Sequence, residues 1–165
     1  MQVKPDKRTI PDILAGAPTI GSLVELCEQN FCLVQRLAPG VANMAGLHRS
    51  LLHNSAPLHL EVLEQTQYTT LMRLTHFFVH DGKPDADPDI HLRLYHDARQ
   101  CEIIKLRQSI LPVERLYDHP GLEQKWRANQ FLSRWLQFCL LQGYRFDSES
   151  QSHRRAASVE PACSA

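Results

Sequence analysis

The chain has 165 residues, 43% of them hydrophobic, which suffices for one folded domain with a sizeable core. Lys plus Arg equals Asp plus Glu at 18 each, and this zero formal charge argues against a general nucleic-acid binder. The five cysteines include no C-x-x-C pair, and no apolar stretch has the length of a signal peptide or a membrane span. We therefore expect a soluble cytoplasmic protein that binds no metal and no membrane. The absence of Gly-rich phosphate loops also predicts no cofactor.

The two ends of the chain differ in composition from its middle. Residues 1–18 are polar and contain three prolines, which predicts a flexible arm. Residues 147–165 are rich in Ser, Ala and Arg with almost no apolar content, which predicts a disordered tail. Residues 19–146 are expected to form the single domain.

Two helices are predicted, one at each end of this domain. Residues 19–38 carry a stripe of apolar residues at helical spacing, and Ser22 followed by Glu25 matches a capping box. Residues 122–142 show a wide apolar face rich in Trp, Phe and Leu, and Gly143 is a good C-terminal stop.

Between the helices the pattern changes to alternation of apolar and polar residues. Residues 40–56 and 80–89 are expected to be loops, the second because of its Gly, Pro and Asp content. Four strands are predicted, at residues 58–62, 68–78, 90–95 and 101–106.

Short connections between these strands favour an antiparallel meander. The fold class is therefore α+β, with an N-terminal helix, a four-stranded antiparallel meander and a C-terminal helix packed on one sheet face. The other face is expected to be polar and to carry Glu61, Arg73, Thr75, His91, Arg93 and Tyr95.

A candidate ligand site lies at one end of this polar face. Arg93, Tyr95 and Asp97 share parity in the third strand, and Glu102 begins the return strand within cross-strand reach. The forked guanidinium of an arginine binds a planar anion with two hydrogen bonds. Two plainer interpretations remain open, namely a solvated salt-bridge face, and a turn in which Asp97 accepts hydrogen bonds from nearby backbone N–H groups. No catalytic residue is assigned, because no Ser or Cys stands in a recognisable nucleophile motif.

Asn30 and Asn129 each fall inside the apolar stripe of a predicted helix. A buried amide without partners costs about 1–3 kcal/mol. Each side chain is therefore expected to hydrogen-bond a backbone group, in a structural and not a catalytic role.

Several blocks in order resemble one known family. The most specific block is the run Arg93-Leu94-Tyr95-His96-Asp97-Ala98 followed by Glu102. Other matching blocks are Leu26-Cys27-Glu28, Asn30-Phe31, Arg36-Leu37, Tyr68-Thr69-Thr70, Asn129, Phe131-Leu132, Trp135-Leu136 and Cys139-Leu140. Over about residues 20–143 the chain resembles the YqiB-like family of small proteobacterial proteins, a family without an assigned function. The resemblance implies a bacterial cytoplasmic protein. Around Gly121–Gln124 the chain lacks most of a polar segment of that family, so no role of that segment carries over.

Two classes of function follow from these patterns. The leading interpretation is a non-enzymatic binding or adaptor module for a protein or a small anionic ligand. The alternative is an enzyme or regulator that acts on a nucleotide-type substrate through Arg93, Tyr95, Asp97 and Glu102. A concave pocket where these polar groups converge favours the enzyme, whereas a flat sheet face or open edge favours the adaptor.

Overall fold

The computed structural model describes residues 18–108 and 121–147, so nearly all of the predicted arm and of the predicted tail lies outside the described residues. Helix α1 spans Ile20–Leu37. Its N-cap is Thr19, whose hydroxyl accepts the Ser22 N–H at 3.0 Å while the Ser22 hydroxyl accepts the Thr19 N–H at 2.8 Å. The capping box therefore begins one turn earlier than the pair of Ser22 and Glu25 predicts. The helix ends just before Pro39, which restricts the preceding residue to extended backbone.

Helix α2 spans Leu122–Gln142, the range that its apolar periodicity predicts. Gly143 follows it in the left-handed region with a φ of 97°, and its N–H bonds the Leu140 carbonyl at 3.1 Å. After the helix, the Phe146 N–H donates to the Leu37 carbonyl at 2.8 Å. This bond ties the C-terminal ends of the two helices together.

The sheet is an antiparallel meander of five strands in chain order. The strands are β1 (Gly46–Ser50), β2 (Leu58–Gln65), β3 (Thr69–His80), β4 (Lys83–Tyr95) and β5 (Gln100–Arg107). The α+β class, the meander and the two flanking helices are confirmed, but the strands number five and not four. The extra strand β1 lies in the segment predicted as a loop. It is a short edge strand in which only Ser50 is buried, so its sequence carries little alternation.

The prediction of a loop at residues 80–89 is also wrong, because this segment too belongs largely to the sheet. Strands β3 and β4 continue into it as a hairpin, with His80 paired to Lys83. The turn residues Asp81 and Gly82 have φ values of 50° and 74°, which suits the Asp-Gly pair because two-residue hairpin turns require positive φ. Backbone pairing across this turn extends the strands through a polar sequence that composition alone assigns to a loop.

Both helices cover the same face of the sheet. The core under the helices contains fully buried side chains from four strands and both helices, including Leu58, Leu60, Met72, Leu74, Ile90, Leu92, Leu94, Cys101, Val34, Leu37, Leu132 and Leu136. The strand register pairs Arg73 with Glu61 on one side and with His91 on the other, on the outer face that the helices leave uncovered. Neither helix within the described ranges is long and apolar enough to cross a membrane.

Candidate functional site

A cleft of about 490 Å³ lies between the C-terminal half of α2 and the β3–β4 hairpin. Phe131, Trp135 and Phe138 lie on one flank of the helix, because residues three and four apart are neighbours on a helix surface. The facing side chains are mainly His76, Phe78 and Tyr144. A cleft of this volume is within the range that accommodates a small molecule or the side chains of a partner.

His76 is the most constrained residue of this cleft. It is 5% exposed and its Nδ1 lies 3.1 Å from the Pro57 carbonyl oxygen. Its ring meets those of Trp135 and Tyr144 nearly edge to face, with centroids 5.6 and 5.3 Å away. The Tyr144 hydroxyl in turn donates to the Ala56 carbonyl at 2.6 Å. These contacts hold the loop before β2 against the end of α2 and make this part of the cleft a packed wall.

The polar groups of the cleft are neutral or acidic. Burial lowers the pKa of His76 below its ordinary 6.5, against the opposing effect of its backbone carbonyl contacts, so the ring is neutral at pH 7. The proton sits on Nδ1, facing the Pro57 carbonyl, and Nε2 therefore carries a lone pair. Asp87 adds a carboxylate, and none of the described lining residues is Lys or Arg. The cleft is thus unsuited to an anion.

The buried ring makes the fold sensitive to acid. Because the folded-state pKa of His76 lies below the unfolded value of about 6.5, unfolding takes up a proton below that pH, and stability falls as the pH falls. We expect His76→Gln to reduce the slope of unfolding free energy against pH below 6.5, by at most about 1.4 kcal/mol per pH unit for one proton. Urea melts between pH 7 and 5 measure the slope. The exposed His80 provides the control, and a slope that His76→Gln and His80→Gln leave equal contradicts the assignment.

The outer face of the sheet carries a second polar centre. The Nε and Nη2 atoms of Arg73 donate to the two carboxylate oxygens of Asp89 at 2.7 and 3.0 Å. Glu61 lies 4.0 Å from Arg73 on its other side, and the Phe77 ring lies under the guanidinium at 5.8 Å. Burial by itself would raise the pKa of Asp89, but the Arg73 hydrogen bonds and nearby positive charges outweigh it and lower that pKa. Asp89 is therefore a carboxylate at neutral pH although its side chain is only 12% exposed.

The four residues of the predicted ligand cluster have different surroundings. Arg93 and Tyr95 share the outer face, and Arg93 is opposite Glu102 in the register of β4 and β5. The Glu102 carboxylate, however, bonds Lys125 of α2 at 3.3 Å. Asp97 accepts the Ala98 N–H at 2.9 Å, the turn geometry of the plainer interpretation. Asp97 and Glu102 thus have local partners, while Arg93 makes no side-chain hydrogen bond or ion pair within the described residues.

Asn30 and Asn129 are both buried, at 0% and 1% exposure. The Asn30 amide donates to the Asn129 backbone carbonyl at 3.0 Å and links α1 to α2. The Asn129 amide donates to the Lys125 carbonyl at 2.9 Å, one turn earlier in its own helix. The side-chain oxygens of both residues are buried without a hydrogen-bond partner in the described part of the chain. The bond from the Asn30 side chain to the Asn129 backbone is therefore a polar contact inside the interface of α1 and α2.

Sequence reasoning missed the cleft and the Arg73–Asp89 pair. The Trp- and Phe-rich sequence of α2 predicts core side chains, yet the Phe138 side chain is 51% exposed. The signal available in the sequence is that aromatic residues occupy a wider arc of α2 than one sheet face can cover. Asp89 falls in the segment predicted as a loop, so its position beside Arg73 was not predicted. The described residues hold no group of three or more His, Cys, Asp or Glu side chains suited to a metal ion.

Comparison with known proteins places this α+β chain in a family. Residues 33–145 match the family described as "Protein of unknown function (DUF1249)", and the chain belongs to that family. The "Uncharacterized protein YqiB" of Escherichia coli (strain K12) is 32% identical over 135 residues, covering 76% of this chain and 91% of that protein. The YqiB proteins of E. coli O6:H1 and O157:H7 match to the same extent. No solved structure matches. The resemblance predicted from the sequence blocks is confirmed.

Proposed function

We propose that this protein is a non-enzymatic binding module that holds an aromatic side chain of a partner protein in the cleft. The observation that carries the proposal is the pair of aromatic residues on opposite sides of the cleft, Phe78 and Phe138, which are 48% and 51% exposed. When a partner covers exposed aromatic rings around a concave surface, their removal from water favours binding by roughly 25 cal/mol per Å² of buried apolar surface. A helix flank facing a hairpin supports this use, because it offers two walls for one inserted group.

The polar atoms of the cleft narrow the chemistry of the occupant. The Asp87 carboxylate accepts hydrogen bonds and no Lys or Arg is among the described lining residues, so an occupant with an N–H donor suits the cleft. A tryptophan side chain supplies an N–H donor and a large ring that packs against Trp135 and Phe138. Tryptophan is also enriched among residues that dominate binding energy at protein interfaces. The proposed partner is therefore a protein segment that inserts a tryptophan.

Two features of the polar and thiol side chains favour a binding function over a catalytic one. Burial raises the pKa of Cys27 to about 11 and of Cys139 to about 12, so these thiols are poor nucleophiles. The alternative, an enzyme or regulator of a nucleotide-type substrate, needs Arg93, Tyr95, Asp97 and Glu102 to act together. The turn bond of Asp97 and the Lys125 bond of Glu102 argue against that use.

The proposal is tested by selecting partners for the cleft. Random peptides displayed on phage are selected on the full chain alone, and the enriched peptides are then measured on Phe138→Asp, which places a charge beside the cleft. We expect the enriched peptides to share a tryptophan, and Phe138→Asp to weaken their affinity by at least about tenfold, or 1.4 kcal/mol.

Leu141 provides the matched control for this experiment. It lies in the same part of α2, is 86% exposed and does not line the cleft, so Leu141→Asp should leave peptide affinity unchanged. Peptides that bind Phe138→Asp as well as the native chain, or that lack a common aromatic residue, overturn the proposal.

A further inference from the structure

Three positive side chains surround His91 on the outer face of the sheet. Arg73 is the register partner of His91 in β3, Lys105 is its partner in β5, and Arg93 stands two residues along β4 on the same face. Directly opposed residues in antiparallel strands have Cβ atoms about 4.5–5.5 Å apart, and diagonal neighbours lie about 7–8 Å apart. Arg93 is therefore a diagonal neighbour of both Arg73 and Lys105, whereas Arg73 and Lys105 are two strands apart.

The nearby carboxylates do not neutralise all of this charge. Asp89 is bonded by Arg73, and the Glu102 carboxylate is bonded by Lys125 from α2. Within residues 18–108 and 121–147, neither Arg93 nor Lys105 makes an ion pair. The outer face thus keeps two positive side chains without an ion pair, placed diagonally in the adjoining strands β4 and β5.

We infer that Arg93 and Lys105, on either side of His91, bind a compact oxyanion such as a phosphate or a carboxylate. Arg93 offers a planar fork that bonds two oxygens at once, and Lys105 offers a mobile point charge. Burial lowers the pKa of His91, and Lys105 and Arg73 lower it further while Asp89 and Glu61 act against them. The neutral His91 ring therefore adds no third full charge, and its Nε2 lies 3.8 Å from an Asp89 carboxylate oxygen.

This oxyanion site is independent of the aromatic cleft. Arg93 and Lys105 lie on the outer face, whereas His76 and Phe78 lie on the face toward α2. A change at one site therefore does not remove groups from the other, and either proposal can fail alone.

The test is isothermal titration calorimetry of the full chain at low salt, with inorganic pyrophosphate and with citrate as probes. We expect saturable binding of one anion per chain, and the preferred probe tells a phosphate site from a carboxylate site. Arg93→Ala should weaken the affinity at least about tenfold, and Arg93→Lys by less, because the lysine keeps the charge but loses the fork. Added salt should weaken binding further.

Arg107 supplies the matched control in the same strand as Lys105. Its guanidinium contacts Asp85 at 3.4 Å and the Ala86 carbonyl at 3.1 Å, so Arg107→Ala should leave the anion affinity within about twofold. The inference is overturned if neither probe saturates, or if Arg93→Ala and Arg107→Ala weaken binding equally. Thermal melts establish that each variant is folded, and Phe138→Asp should bind the anion as the native chain does.

Discussion

Asp89→Ala is expected to lower the free energy of unfolding by about 2–4 kcal/mol. The change removes both hydrogen bonds to Arg73 and leaves a guanidinium that is only 27% exposed without its main counter-charge. Truncating one partner of a fully buried pair typically costs about 3–5 kcal/mol, and the partial exposure of Arg73 reduces that figure. Urea denaturation followed by circular dichroism measures the loss.

The Asp85–Arg107 pair provides the matched control for this prediction. It joins the same residue types, but the two side chains are 54% and 60% exposed. Asp85→Ala should therefore change stability by no more than about 0.5 kcal/mol, as expected for an exposed ion pair. Equal losses in the two variants would show that the Asp89 pair is no better shielded from water than the surface pair.

The Asp89 pair also predicts how stability depends on acid. The folded-state pKa of Asp89 lies below its ordinary 3.8, so the pair's contribution is complete above that unfolded value. The contribution disappears as the pH falls from that value through the lower folded-state pKa. Asp89→Ala should accordingly reduce the loss of stability below pH 4, and a melt series at pH 5, 4 and 3 measures it.

Asn30→Ala is expected to cost about 1–3 kcal/mol, the second large effect. The substitution removes the 3.0 Å bond to the Asn129 carbonyl and leaves a cavity at a position with no exposed surface. Loss of the unpartnered Asn30 side-chain oxygen offsets part of this cost. The neighbouring Gln29 is exposed, so Gln29→Ala should stay within about 0.5 kcal/mol. If Asn30→Ala also changes the free energy of unfolding by no more than about 0.5 kcal/mol, the Asn30 amide adds nothing to the stability of the helix interface.

Periodic patterns and local stop signals were sufficient to predict much of this fold. The bounds of α2 follow from its apolar spacing and from Gly143, because helix phase and a left-handed C-terminal residue depend on neighbours in the chain. The burial of Asn30 and Asn129 agrees with their place in the apolar stripes for the same reason. The polar outer face follows from strand alternation, which requires only the parity of Arg73, His91 and Arg93.

The remaining features depend on contacts between distant segments. Strand β1 exists because β2 offers it a hydrogen-bonding edge, and the hairpin beyond His80 exists because two polar segments pair across Asp81 and Gly82. Glu102 bonds Lys125, 23 residues further along the chain, because α2 packs beside β5, which neither local periodicity nor strand parity encodes. The cleft likewise forms only where the flank of α2 meets the hairpin. The sequence pattern predicts that its aromatic residues are core residues, but the packing leaves one side of them open to solvent.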